Sequence, residues 1–344
     1  MLTDPAFLVL NVVLAALTLY VIFGGADFGA GVWELNSALQ ASEKERRLIY
    51  RAIGPVWEAN HVWLIFFLMG LFNGFPRAFA ALSRALWIPL LLALVGIVFR
   101  GAAYVYRSYS APSESARREL WGGVFAVAST TTPFFLGAGL GTLASGVLPI
   151  DAEGRFDSAA GVPWISALGI FTAFFGVVLC AYLAAVFLAR EAQRAGDSDL
   201  IRLWRQRALA SGIWAGVLAV VGLVFVSVDV PTLWKGLVEQ AIFFVAVSLT
   251  SGVASLVCLW FSKFTLACVL SGVAVATVIW SWGVAQYPVL IPPALTVEAS
   301  QAPDDVLWLM LMGMLGGAVL LVPSLFLLFR VFKSGGSDEA SRTA

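Results

Sequence analysis

The sequence predicts an all-α, polytopic membrane protein of about nine transmembrane helices, with its N-terminus outside and its C-terminus cytoplasmic. Three observations carry that expectation. Of the 344 residues 60% are hydrophobic and only 12% charged, with a mean hydropathy of +0.90; a soluble chain carries roughly twice that charge. Nine apolar runs are each near the ~20 residues needed to cross ~30 Å of hydrocarbon. Basic residues also alternate between the two sides with a strong bias, which sets orientation.

The first run, about 6–26, is a full span long and follows Asp4 rather than a basic cluster, so it reads as a retained helix, not a cleaved signal peptide. Lys44, Arg46, Arg47 and Arg51 follow it and precede the second run, about 55–74. The third, about 82–106, ends among Arg100, Arg107, Arg117 and Arg118, and the fourth covers about 121–146. The fifth, about 164–189, leads into five arginines between 190 and 207; the sixth and seventh cover about 208–228 and 237–260. Lys263 precedes the eighth, about 264–286, and the ninth covers about 305–331. Seventeen of the 21 Lys and Arg residues fall on one side; the other side has only Arg77, Arg84, Arg155 and Lys235. The positive side faces the cytoplasm, and only an odd number of spans keeps the alternation. Residues 1–333 therefore form a single transmembrane domain, and the polar segment 334–344 is expected to be a disordered cytoplasmic tail.

Composition excludes several functions. The net charge is zero, so nothing points to nucleic acid. Cys180, Cys258 and Cys268 all lie in apolar runs without a Cys-x-x-Cys spacing, as small apolar filler. His61 is the only histidine, and Met69 shares its helix, so the two cannot grip a haem from opposite faces. No metal site and no catalytic residue is expected in this chain; a redox centre would belong to a partner.

The polar residues inside the spans carry the functional signal. Residues 54–65 read GPVWEANHVWLI and place Glu58, Asn60 and His61 where a lipid-exposed helix should carry none of them. An ionisable group at membrane depth is costly unless it faces a protein interior or a wet cavity. The topology puts Asp27 near the cytoplasmic end of the first span, Glu58 about one turn into the second and Arg100 near the cytoplasmic end of the third. Two carboxylates and one guanidinium can then satisfy each other at one depth. Two readings stay open: a buried ion network that fixes helix packing, and a proton uptake route in which a carboxylate loads a proton from the cytoplasm.

On the second span Trp57, Asn60, His61 and Leu64 share a face, and Glu58 stands three residues before His61. Asn60 is suited to bridging helices, and Trp57 and Trp63 are expected to serve subunit or helix packing. Gly25 and Gly29 make a GxxxG spacing beside Asp27, which lets a neighbouring backbone approach. Gly24 has no small partner one turn on, because Phe28 stands there.

The segments GGADFGAG (24–31), ERRLIYRAIGPVWEANHVWLI (45–65), FRGAAYVYR (99–107) and YPVLIPPALTVEAS (287–300) together resemble subunit II of the cytochrome bd-type quinol oxidases, including the cyanide-insensitive branch. The resemblance runs from about residue 6 to 332. It implies a bacterial inner-membrane complex that oxidises quinol and reduces dioxygen to water, taking protons from the cytoplasm. It implies b-type and d-type haems in a partner subunit I, and a nine-helix subunit II without haem ligands of its own. In some members subunit II holds a structural quinone, and small single-span subunits accompany the pair. The acidic residue after the tryptophan in the family's PxWxxNxVWL pattern is commonly Asp and is linked to proton uptake; here it is Glu58, one methylene longer. The family's first-helix acid matches Asp27 and its third-helix arginine Arg100. Where some members carry an acid after the tryptophan that opens the fourth helix, this chain has Gly122 after Trp121. The alternatives are a stand-alone secondary transporter, whose broken helices also use glycines, and a purely structural scaffold.

The orientation is directly testable. A reporter fused after Ala344 is expected to read cytoplasm, and one inserted near Gly154 the outside; opposite labelling at either point refutes the topology.

Overall fold

The computed structural model describes residues 4–37, 43–109, 115–157 and 164–342; the side chains of 53–59 and of some helix-end positions fall outside that description. In chain order the elements are α1 (Pro5–Ser37), α2 (Glu43–Gly74), α3 (Pro76–Ala85), α4 (Trp87–Tyr109), α5 (Ser115–Ser145), α6 (Ala167–Ala195), α7 (Ser198–Asp229), α8 (Pro231–Glu239), α9 (Ile242–Trp260) and α10 (Phe264–Gln286). A hairpin of β1 (Val289–Ile291) and β2 (Leu295–Thr296), then α11 (Val297–Ser300) and α12 (Asp304–Arg342), complete the chain.

Among the described residues eight helices are long and apolar enough to cross a membrane, or nine where the α2–α3 pair, bent by 113°, counts as one span. The bend is written locally. Pro76 lacks an N–H and forbids helical backbone at the residue before it, and Phe75 is accordingly non-helical (φ −135°, ψ 62°). α3 buries Ala78, Ala81 and Ala85 and exposes Arg77 and Arg84.

Two expected span starts move because of such breaks. Residues 82–85 belong to α3, and the third span begins at Trp87; residues 237–239 belong to α8, which Pro231 opens, and the seventh begins at Ile242. At the opposite end the helices outrun their apolar runs, α1 to Ser37 and α6 to Ala195, with α7 starting at Ser198. The α6–α7 corner is built from Gly196 in the left-handed region (φ 71°) and Asp197, whose carboxylate accepts from the Asp199 and Leu200 amides at 3.1 Å each. The Leu200 amide, with Lys44 at 3.7 Å adding charge, holds the Asp197 carboxyl below the usual range. α12 also continues, as helix across the polar segment to Arg342, where a disordered tail from 334 was the expectation; extending an established helix adds one hydrogen bond for each residue fixed.

α1 is the hub, bordering α2, α5, α6, α10 and α12. It has no polar stripe because protein surrounds it, as expected of a helix apolar on all sides. Gly25 and Gly29 both face α6: a Cβ at Gly25 would strike Leu183 Cδ1, and one at Gly29 would strike the Cys180 backbone carbonyl.

The two ends of the bundle differ. One end is apolar and tied by the hairpin. Ile291 and Leu295, both fully buried, join Phe75, Ala78, Leu148, Ile150 and Leu307 in a single cluster. The Ala302 amide donates to the Gly74 carbonyl at 2.9 Å, and the Arg77 guanidinium to the Ala299 carbonyl at 3.1 Å. The Asp151 carboxyl, in the loop of this end, is held below the usual range by the Arg155 amide and guanidinium. The other end gathers the basic residues around a cluster that includes Ile49, Phe125, Trp204, Leu259 and Phe264.

Gly29→Ala must separate α1 from a backbone atom of α6 and is expected to cost about 1–3 kcal/mol as overpacking. Gly123→Ala has open space and is expected to stay within about 1 kcal/mol of the parent or to stabilise. Thermal unfolding of the detergent-solubilised protein compares the two; equal midpoints would refute the close α1–α6 approach.

Candidate functional site

Arg100 on α4 is 2% exposed and Asp27 on α1 1%. Arg100 Nη2 donates to Asp27 Oδ1 in a short ion pair and also lies 3.4 Å from the Asp27 backbone carbonyl. Its Nε donates to Ser129 Oγ at 3.0 Å. The guanidinium carbon sits 4.9 Å from the ring centroids of both Phe28 and Phe125. A charge stripped of water is thus met by a carboxylate, a hydroxyl, a carbonyl and two aromatic faces, the combination a planar guanidinium uses best. α5 borders both α1 and α4, and Arg100 reaches past it.

Missing side chains make this possible. A Cβ on Gly31 would collide with Ser129, so Gly31 is what lets α5 bring its hydroxyl in. A Cβ on Gly24 would lie 3.0 Å from Asn60 Nδ2; Gly24 therefore seats the Asn60 amide against the face of α1 that carries Asp27. His61 lies within electrostatic reach of the Asp27 carboxyl. Asp27 and Arg100 thus pair directly, with Asn60 packed on α1 at Gly24. Glu58 and Trp57 are on α2, but their side chains lie outside the described residues. Trp63 turns inward, packing on a cluster of Tyr20, Phe28 and Cys180.

Seven residues on from each partner the arrangement repeats. Glu34 Oε1 accepts from Arg107 Nη1 at 2.6 Å, with both side chains largely buried. Seven residues are about two helical turns, roughly 10 Å, so α1 and α4 carry two rungs of one ladder. A crevice lined by Glu34, Ile49, Tyr50, Tyr104, Arg107 and Phe125 surrounds the upper rung, and Phe125 also touches Arg100 of the lower one. A third buried pair joins α2 to α7: Glu45 with Arg207, whose guanidinium lies over Trp204 (4.7 Å) and Trp33 (5.1 Å). The Trp33 indole N–H donates to the Ala181 carbonyl at 2.7 Å.

The sequence reading did not single out Glu34, Arg107, Glu45, Arg207 or Ser129. The heptad spacing of Asp27 to Glu34 against Arg100 to Arg107 was a signal in the sequence for the second rung. Nothing marks Ser129 or Phe125, which are uncharged and ordinary for their helix. The site offers acids, a hydroxyl and fixed positive charge; among the described residues no group of three metal-ligating side chains exists.

The chain matches the family described as cytochrome bd terminal oxidase subunit II over residues 5–332. It is 34% identical over 129 residues to cytochrome bd ubiquinol oxidase subunit 2 of Bacillus subtilis, a stretch covering 38% of this chain and 37% of that protein. It is 30% identical over 128 residues to cytochrome bd-I ubiquinol oxidase subunit 2 of Escherichia coli, covering 37% and 33%. A second Bacillus subtilis protein, provisionally named cytochrome bd menaquinol oxidase subunit II, is 21% identical with 96% of each chain covered. The matches to the two ubiquinol oxidase relatives thus span only about a third of their length. Among solved structures, a chain of the bd oxidase from Geobacillus thermodenitrificans shares the fold, with a TM-score of 0.79, 23% identity and 95% and 98% of the two chains covered.

Arg100→Ala leaves Asp27 buried without its counter-charge, which costs on the order of 3–5 kcal/mol. Arg100→Lys keeps the charge and loses the fork, so its yield of folded protein is expected to lie between those of Ala and the parent. Parent-level yields for both variants would show that the pair does not hold the fold.

Proposed function

Because the chain belongs to the cytochrome bd terminal oxidase subunit II family, we propose that it is the haem-free subunit of a quinol:dioxygen oxidoreductase of the bacterial plasma membrane. In this reading it supports a haem-bearing subunit I and supplies that partner with protons from the cytoplasm. The haems of the partner supply the redox chemistry. His61 is the only histidine of the sequence and shares its helix with Met69, so the two cannot grip a haem from opposite faces, which supports assigning the haems to the partner.

The positive-inside bias orients the basic end of the bundle toward the cytoplasm. The crevice at Glu34 and Arg107 then opens the path. Glu58, about four turns into α2 and two residues before Asn60, receives a proton that has entered from cytoplasmic water and gives it up toward Asp27. Arg100 holds Asp27 in place and offsets its charge, and Asn60 and His61 flank the same carboxyl. The observation that carries this reading is the Asp27–Arg100 pair, almost fully buried, two helical turns below a crevice lined by a second acid. The crevice holds about 10 Å³, room for roughly one water, and the polar side chains of α2 stand beside the pair, which together favour the proton reading over packing alone.

The test is turnover per haem in the purified complex. Glu58→Gln keeps the shape but cannot ionise. It is expected to assemble with normal haem content and to slow quinol oxidation by roughly tenfold or more, within the range of a lost proton-transfer group. Glu58→Asp is expected to retain most activity. Parent-level turnover in Glu58→Gln would move the uptake route to another chain.

A further inference from the structure

The break that bends α2 into α3 occurs twice. Phe75 and Pro76 open α3, and Val230 and Pro231, 155 residues later, open α8. The two hinge residues share one backbone conformation: φ −135° and ψ 62° at Phe75, φ −133° and ψ 67° at Val230. Neighbour relations repeat with the break. α1 borders α2 and α5 as α6 borders α7 and α10, and α4 packs on α5 as α9 packs on α10. The outward side chains agree as well, Leu94 with Leu249 and Val98 with Val253, all of them exposed. Pro5–Ser145 and Ala167–Gln286 thus follow one plan, a parallel repeat of the kind membrane proteins build around an axis along the membrane normal.

The same shift carries Asp27 onto Tyr182 and Arg100 onto Ser255. These two residues are also bonded. The Tyr182 hydroxyl donates to Ser255 Oγ at 2.7 Å, and the partners are 73 residues apart in each pair. Tyr182 is 5% exposed and Ser255 0%. The surroundings correspond. Gly31 faces Ser129; its counterpart Val186 accepts from Cys268 Sγ at 3.5 Å. That contact aligns α10 with α5 at a shift of 139 residues, which sets the buried Phe264 at the position of Phe125, the ring beside the guanidinium. One long and one short side chain make each pair, the long one on α4 in the first copy and on α6 in the second. Gly212 on α7 gives the tyrosine ring its room, since a Cβ there would come within 2.7 Å of it.

Charge and hydrogen bond do different things at this position. Ser255 passes the bond on to the Ala267 carbonyl at 2.9 Å, so α6, α9 and α10 are joined with no ion to desolvate. The ion pair joins α1, α4 and α5 by stripping two charges of water, where uncharged side chains of similar volume often hold a core as well or better. We propose that Tyr182 and Ser255 occupy the second copy of the ion-pair position in charge-free form, as a clamp on α6, α9 and α10 that serves assembly and takes no part in turnover. The position itself stays able to accept an ion pair. The inference rests on the proposed function only in that turnover is what tells the two copies apart.

The experiment uses the intact complex. Tyr182→Asp and Ser255→Arg each bury an unmatched charge, and each is expected to lose most of the assembled complex. Combined, they are expected to restore most of it, the long side chain having changed helix. A combined variant no better than the single ones overturns the equivalence. Tyr182→Phe, which keeps the ring and removes the hydroxyl, is expected to lower the thermal midpoint with turnover per haem at the parent level. A parent-like midpoint shows that the bond clamps nothing, and slowed turnover at normal haem content shows that the second copy is not merely structural; either overturns the proposal. Where Tyr182→Phe does not assemble, Tyr182→Phe with Ser255→Ala, which removes both hydroxyls at once, is read for turnover by the same criteria. Slowed Glu58→Gln with slowed Tyr182→Phe sinks this inference alone. Parent-level Glu58→Gln with parent-level Tyr182→Phe and a lowered midpoint sinks the uptake route and leaves the clamp.

Discussion

A guanidinium that is 2% exposed inside an apolar bundle is the constraint to which the rest of the structure answers. An unmatched charge at that depth would be prohibitive. Arg100 is matched by groups from two other helices. α1 gives Asp27 and Phe28, and α5 gives Ser129 and Phe125. Those helices must come close, and the glycines of α1 let them. Gly31 admits α5, Gly24 admits α2, and Gly25 and Gly29 admit α6. One charge thus accounts for why α1 is poor in bulk toward its C-terminal third and why it stands at the centre of the fold.

The same logic separates the two ends of the molecule. At the basic end, helices run past their apolar stretches and meet through ion pairs, Lys44 with Asp197 and Glu45 with Arg207, the first exposed and of small worth, the second largely buried. At the other end, closure is apolar. Short helices, a small hairpin and backbone hydrogen bonds lock the loops over Phe75, Ile291 and Leu295. Charge closes one end of the bundle and side-chain packing the other.

Hydropathy and charge bias gave the helical class and the count of crossings, because both are set by residue-by-residue transfer from water to hydrocarbon. Asp27 and Arg100 were legible for the same reason: a charge inside an apolar run has to find its opposite. Breaks within runs were harder. Pro76 and Pro231 sit in stretches whose hydropathy barely dips, so the starts of the third and seventh spans were placed several residues early. Ser129 and Phe125 could not be read at all, since their importance comes from where α5 lies, not from what they are. Gly24 was read as lacking a small partner one turn on; its role emerges only from the amide of Asn60, on another helix.

The 113° turn at Phe75–Pro76 lays α3 across the end of α2 with Arg77 and Arg84 exposed and its alanine face on the bundle. Such a helix works as an outrigger. The Arg77 guanidinium donates to the Ala299 carbonyl at 3.1 Å, so α3 is tied to the chain beyond the hairpin as well as packed on the bundle. A rod-like span meets a thicker or thinner bilayer by changing its tilt; a helix folded back by 113° and bonded to a neighbouring segment is not a rod, and cannot tilt without carrying that segment with it.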